Sequence, residues 1–139
     1  MGSDSRVGQS VGGVRVAGLT LDAGALIAYE RGNTRIRWLL NAAFDRGVTT
    51  TIPAVVLAEV WRGDAKDAPV ARLLSWCRIE LLDALRARAA GTLRRRTAGA
   101  GAVDACVAVG VRERGDQIAT SDPDDMRRLL GSGFTILHV

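Results

Sequence analysis

The stretch VAGLTLDAGALIAYERG, residues 16–32, decides the fold. Its first part, residues 16–21, is a short apolar run of the kind that forms a buried strand. Asp22 follows at once, and the apolar segment after it stops near Gly32, as a short helix would. A buried strand that leads directly into an apolar helix is the first half of a strand–helix–strand unit. Such units pair their strands in parallel and cover the sheet with helices.

The rest of the chain repeats this alternation. Four more strands are predicted from runs that are apolar or rich in β-branched residues, at 48–52, 79–82, 117–120 and 134–139. Helices are predicted between them, for example where Asn33 precedes an amphipathic segment and Asp83 precedes an arginine-rich one. The predicted fold is therefore α/β, a three-layer α/β/α arrangement with a central five-stranded parallel sheet.

A single domain accounts for this pattern. A chain of 139 residues is long enough to bury about 68–70% of its unfolded surface around one core. The opening residues are rich in Gly and Ser and carry no hydrophobic period, so we interpret residues 1–15 as a flexible N-terminal tail. Residues 16–139 form the predicted domain.

Composition argues against several classes of protein. No apolar run approaches the roughly 18 residues needed to cross a bilayer, and no signal peptide is recognisable, so we expect a cytosolic protein without membrane partners. Cys77 and Cys106 have apolar neighbours and no CxxC spacing, which favours reduced thiols. The single histidine, His138, is the penultimate residue and has no assigned role.

The chain is basic, with 19 basic and 15 acidic residues and a formal net charge of +4. All the basic residues except Lys66 are arginines. Ordinary solvated helix faces would explain the composition alone. One short stretch, however, concentrates arginines whose joint positive field could attract a polyanion such as RNA: Arg86, Arg88, Arg94, Arg95 and Arg96.

Four carboxylates have surroundings that suggest chemistry. Asp22 and Asp122 each come directly after a predicted strand, and the carboxyl ends of parallel strands are where ligands bind. Glu59 and Asp104 each interrupt an otherwise apolar run, where an ionised group is costly unless it is paired or coordinated. Structural alternatives remain open. Asp22 and Asp122 could only cap helices, and Glu59 and Asp104 could pair with arginines in the core.

Together, the four carboxylates predict a site for a hard divalent cation. Carboxylate oxygens with water suit Mg²⁺ or Mn²⁺, and a cluster of negative charges needs a compensating cation. Because no Ser–His or Cys–His pair is available, metal-bound hydroxide is the nucleophile that the sequence offers. Hydrolysis of a phosphodiester follows from that chemistry.

The same acids lie in segments that resemble the acidic motifs of PIN domains, most closely those of VapC-like toxins. The motifs match in order and approximate spacing, and they are LTLDAGALIAYERG at 19–32, PAVVLAEVWRG at 53–63, GAVDACVAV at 101–109 and ATSDPDD at 119–125. The resemblance implies that Asp22, Glu59, Asp104 and Asp122 are catalytic and hold the metal or orient its water. Thr120, Ser121 and Asp124 become auxiliary residues.

The resemblance also implies the partners and the reaction. It implies a Mg²⁺- or Mn²⁺-dependent endoribonuclease that cleaves structured RNA such as tRNA or rRNA, a homodimer, and a VapB-like antitoxin. We expect the antitoxin groove at the first two helices and the helix bearing Glu59, with Trp38 and Trp61, although at least one tryptophan could belong to the core. Many relatives have Ser, Thr or Asn where this chain has Gly24.

Other interpretations of the sequence are weaker. The glycines at 99–101 follow a helix and so do not fit a dinucleotide-binding turn. A receiver-type phosphoacceptor would need a lysine beyond its last strands, and an aspartyl phosphatase would need an Asp at the position of Gly24. The remaining rival is a catalytically silent PIN-like protein that binds RNA or serves as a scaffold.

Overall fold

A computed structural model describes residues 9–11 and 14–139. Its strands, in chain order, are β1 Gln9–Val11, β2 Val14–Val16, β3 Leu19–Leu21, β4 Thr50–Pro53, β5 Arg78–Glu80, β6 Gln117–Thr120 and β7 Ile136–His138. Its helices are α1 Ala23–Glu30, α2 Thr34–Asp45, α3 Ala54–Val60, α4 Ala68–Leu74, α5 Ala84–Arg96, α6 Ala102–Arg114 and α7 Pro123–Leu130. A 3-10 turn, Ala65–Asp67, precedes α4.

Five strands form one parallel sheet in the order β5-β4-β3-β6-β7. The predicted three-layer α/β/α fold with a five-stranded parallel sheet is therefore confirmed. The chain builds outward from β3 to β5 on one side and then returns to place β6 on the other side of β3. In open parallel sheets ligands bind at such a reversal of strand order, which here lies at the carboxyl ends of β3 and β6.

The core is made mainly of aliphatic side chains, in keeping with the low aromatic content of the sequence. Leu21, Leu26, Ile52 and Ile118 are fully buried, and α6 contributes a continuous buried run that includes Val107. Around this core α1 packs against α2, α3 and α4, while α6 packs against α5 and α7. These contacts hold the starts of α1, α6 and α7 near the same edge of the sheet.

A buried charge network ties α6 to the sheet. The Arg114 guanidinium donates to Asp116 Oδ2 (2.8 Å) and to Thr20 Oγ1 (2.8 Å), and it also binds Glu80. Arg114, Asp116 and Glu80 are each at least nine-tenths buried. Gly110 permits this packing, because a Cβ there would lie 2.6 Å from Glu80 Oε1. This network fixes the C-terminal end of α6, the helix whose first turn carries Asp104.

Two boundaries differ from the sequence prediction. We expected a flexible tail through residue 15, but Gln9–Val11 and Val14–Val16 pair as antiparallel strands, and the rest of that tail lies outside the described residues. The strand expected at 79–82 ends at Glu80, which leaves Leu81 and Leu82 exposed.

Within the described residues, no helix has the length and apolar character required to cross a membrane.

Candidate functional site

Asp22 lies at the carboxyl end of β3 and is only 6% exposed. It caps α1, because the Ala25 N–H donates to Asp22 Oδ1 (2.9 Å). Burial raises the pKa of Asp22, and the charge of Asp104 adds to that rise, while the hydrogen bond from the Thr120 side chain opposes it. Asp22 therefore does cap a helix, and it is also a buried carboxylate that a second carboxylate repels.

Thr120 connects the two central strand ends. Its fully buried hydroxyl bonds to the Asp22 carboxylate and accepts from the Asp122 N–H (2.9 Å). Asp122 is exposed, and its Oδ1 accepts from the Asp125 N–H (3.3 Å), so it caps α7. Because β3 and β6 are neighbours, Thr120 fixes Asp22 and the start of α7 at one point of the edge.

Asp104 lies in the first turn of α6 and faces the same point. Burial raises the pKa of Asp104, and the charges of Asp125 and Asp122 raise it further. No ion pair to Asp104 is found among the described residues, so the core Asp–Arg pair that we considered is absent from this part of the chain. Asp104 is thus a carboxylate whose charged neighbours are other carboxylates.

Glu59 is placed differently. It is exposed on α3, so the burial cost that made it stand out in the sequence does not apply. Within the described part of the chain, no hydrogen bond or ion pair joins it to Asp22, Asp104 or Asp122. Its helix nevertheless packs against α1 and α6, and α6 carries Asp104.

Asp125 was missed as a site residue by the sequence analysis. Among the neighbouring charges, that of Asp125 raises the pKa of Asp104 most, ahead of Asp122. We name Asp22, Asp104, Asp122 and Asp125 the acidic cluster. Helical spacing could have revealed its fourth member, since a residue three positions after Asp122 lies on the same face of a helix.

The donor chemistry of the acidic cluster fits a hard cation. Its members are carboxylates, and burial, followed by mutual repulsion, raises the pKa of Asp22 and Asp104, where a cation would lower it. The side chains do not stand in a ready-made metal cage, since no group of three or more His, Cys, Asp or Glu residues in the described ranges could hold an ion as placed.

Gly24 has a local explanation. A Cβ at this position would lie 2.0 Å from Ser121 Oγ and 2.9 Å from Ser121 Cβ, so the Ser121 side chain occupies the space that residue 24 leaves open. Ser121 therefore places a hydroxyl between the starts of α1 and α7. Asp124 is exposed in the first turn of α7.

The arginines of α5 separate into two groups. Arg86 is bound to Glu80 and to Glu113 (2.7 Å), and its side chain is only 18% exposed. Contrary to our expectation, it therefore does not offer a free charge to RNA. Arg88, Arg94, Arg95 and Arg96 are exposed. Arg86, near the start of α5, binds Glu113 near the end of α6. Arg94, near the end of α5, donates to Ala100 O (3.3 Å) just before α6 begins, so the two helices run antiparallel. The last three arginines therefore lie at the end of the helix pair that carries Asp104.

A surface groove of about 500 Å³ lies among α1, α2 and α4. Its lining includes Tyr29, Arg37, Phe44, Arg72 and Trp76. The helix of Glu59, which we expected to form part of the antitoxin groove, does not line this groove. Trp38 and Trp61 lie elsewhere, and because both are exposed (68% and 47%), assigning either of them to the core is wrong.

Comparison with known proteins identifies a family. The model of the PIN domain matches residues 19–130. The crystal structure of VapBC2 from Rickettsia felis, bound to a DNA fragment from their promoter, gives a TM-score of 0.71 at 15% identity, covering 87% of this chain and 98% of that chain. DNA-bound VapBC from Salmonella typhimurium gives 0.65 at 20% identity, covering 87% and 97%. FitAcB from Neisseria gonorrhoeae gives 0.63 at 18% identity, covering 86% and 96%. No curated protein matches the sequence.

Proposed function

Because this chain belongs to the PIN-domain family, whose members are typically nucleases, we propose that it is a Mg²⁺- or Mn²⁺-dependent endoribonuclease and the toxin of a toxin–antitoxin pair. The observation that carries the proposal is the acidic cluster at the carboxyl edge of β3 and β6, in which Asp104 has charged neighbours of its own sign. A purely structural cluster would gain nothing from that repulsion.

Asp22, Asp104 and Asp122 would hold the cation, with Glu59 approaching from α3 and Ser121 and Asp124 as auxiliaries. A bound Mg²⁺ or Mn²⁺ would supply an activated water and neutralise charge on the cleaved phosphodiester. The protein supplies the geometry. Thr120 fixes the orientation of Asp22 and the backbone of Asp122. The buried charge network of Arg114 holds α6, the helix that carries Asp104, against the sheet.

RNA phosphates would bind the exposed end of α5. Arg94, Arg95 and Arg96 lie beside the start of α6, so a strand that passes over Asp104 also passes these guanidinium groups. Arginine forks pair well with phosphate oxygens. Arg86 is left out of this proposal because its charge is already paired.

Replacing Arg94, Arg95 and Arg96 together by Gln is expected to weaken RNA binding without moving the cleavage position. The slope of log K against log salt should become shallower by about 0.7–0.9 for each phosphate that the variant no longer binds. Binding of unfractionated tRNA, measured over a salt series in an Asp22→Asn background, checks this. Arg88→Gln, on the other half of α5, is the control. A triple variant with the parental slope would return these arginines to the role of a solvated helix face.

The groove among α1, α2 and α4 is the proposed seat of the antitoxin. The similar solved structures are VapBC and FitAB complexes. In this chain the groove is lined by apolar side chains, by two arginines and by one carboxylate, Asp45. Trp76, which packs on Phe44 (5.9 Å between rings), is 71% exposed. An apolar segment with acidic flanks would cover both features. The homodimer that the resemblance implies also remains a proposal.

Expression of the chain alone is expected to arrest growth, and co-expression of the product of a small neighbouring gene should relieve the arrest. The physical reason is unchecked RNA cleavage, so Asp22→Asn should grow normally at the same protein level. Growth curves with sequencing of RNA ends check this. The groove variant Trp76→Ser should remain toxic, and co-expression of the neighbouring gene product should relieve its growth arrest less.

Normal growth with abundant, soluble, unpartnered protein, together with intact RNA, would overturn the toxin proposal. A protein that binds RNA but neither cleaves it nor concentrates Mn²⁺ would instead identify the catalytically silent PIN-like alternative.

A further inference from the structure

The acidic cluster has a basic side chain bonded to it. Arg128, one turn after Asp125 on α7, forms an ion pair with the Asp125 carboxylate. Among the residues that the structure describes, it is the only Arg or Lys with an ion pair to any member of the cluster. Its side chain is 52% exposed, so solvent and any ligand over the cluster can reach the guanidinium.

The neighbouring Arg127 has a different task. Its guanidinium donates to Gly131 O (2.8 Å) and to Phe134 O (3.0 Å), which ties the end of α7 to the segment before β7. The buried face of α7 is formed by Met126, Leu129 and Leu130. Arg128 therefore lies outside the packed face of α7 and outside the bonds that close the helix, and its guanidinium binds the cluster instead.

An RNA strand that approaches the acidic cluster is repelled by any carboxylate whose charge neither the bound cation nor a basic side chain offsets. The ion pair of Arg128 with Asp125 is exposed and local, and such pairs contribute little to the stability of a fold. Exchanging Asp125 for a phosphate therefore costs little. A guanidinium that binds two phosphate oxygens in parallel gains both charge and geometry.

We propose that Arg128 is a substrate-positioning residue that releases Asp125 and binds a phosphate of the RNA beside the acidic cluster. This inference rests on the proposed nuclease function and adds a specific anchor to it. Arg128 differs from the arginines at the end of α5, because it is bonded to the cluster rather than placed beside it. It would set which phosphate lies over the carboxylates.

The test compares Arg128→Gln with Arg31→Gln, an exposed arginine at the far end of α1 from Asp22. Binding of unfractionated tRNA is measured in an Asp22→Asn background over a salt series. Arg128→Gln should weaken binding about 10-fold, as expected for one charged contact, and make the salt slope shallower by about 0.7–0.9. Arg128→Lys should keep the slope but recover only part of the affinity, since it lacks the fork.

A second readout separates this role from metal binding and from stability. In the active protein Arg128→Gln should raise KM more than it lowers kcat, while affinity for Mn²⁺ alone stays equal or increases because a positive charge has been removed. If Arg128→Gln keeps the parental RNA affinity and salt slope while the parent cleaves RNA, the inference about Arg128 is overturned and the proposed function stands. Failure of the parent to cleave RNA with Mn²⁺ would instead overturn the proposed function. Equal losses in Arg31→Gln would also count against a specific anchor.

Discussion

Arg114→Met is expected to lower the free energy of unfolding by about 3–5 kcal/mol, the cost of leaving buried charges without their partner. Arg114 binds Glu80, Asp116 and Thr20 at once, and burial lowers the pKa of its guanidinium although Asp116 acts to raise it. Without it, the Asp116 carboxylate keeps the Thr20 hydroxyl (2.7 Å) but has no cation beside it. Urea unfolding at neutral pH measures the loss.

Arg112→Met is the matched control on the same helix. Arg112 is exposed and donates one hydrogen bond, to Leu129 O (2.7 Å), so its loss should cost only about 1 kcal/mol. Adding Asp116→Asn to Arg114→Met should restore part of the stability, because it removes one of the stranded charges. Equal losses in the two single variants would show that the buried network contributes little.

The sequence predicted the fold well because hydrophobic periodicity reports directly on burial. Asn33, Asp83 and Asp22 were expected at helix starts, and each accepts a backbone N–H there. The buried network escaped prediction, since Arg114 and Asp116 look like ordinary surface residues at the end of a helix. The close packing of α6 at Gly110 against Glu80 is what makes them core residues.

The positions of the candidate site residues were predicted in part, for a related reason. Strand ends are visible in a sequence, so Asp22 and Asp122 could be placed at one edge, and the apolar run around Asp104 correctly indicated a partly buried acid. Glu59 gave the same pattern but is exposed, because α3 is a short helix whose buried positions are Val56 and Val60. Pairings that depend on how helices are rotated were not predictable from the sequence.

Asp104 offers the sharpest test of the metal site. If it is a metal ligand, Asp104→Asn should impair cleavage but not the stability of the metal-free protein, whereas a purely structural carboxylate predicts the opposite. If Asp104 repels Asp122 and Asp125, Asp104→Asn in EDTA should be at least as stable as the wild type. The sign follows from the raised pKa of Asp104. A carboxyl that binds protons more tightly when folded destabilises the ionised protein, and that penalty disappears as pH falls through the raised pKa toward 3.8. The variant should therefore gain less stability than the wild type over this range.

With Mn²⁺ the order should reverse, and cleavage should fall at least about 100-fold, because a catalytic metal contributes several kcal/mol to the transition state. At a Mn²⁺ concentration about 100 times the Kd, the wild type gains about 2.7 kcal/mol, and a 100-fold higher Kd would reduce this to about 0.4 kcal/mol. Thermal melts in EDTA and in Mn²⁺ measure the stability of the metal-free protein and the gain on metal binding, and an RNA assay measures the cleavage rate. Asp45→Asn, an exposed carboxylate at the end of α2, should match the wild type in each. An Asp104→Asn protein that is clearly destabilised in EDTA yet cleaves RNA at the wild-type rate would refute the assignment, since only a structural carboxylate behaves in that way.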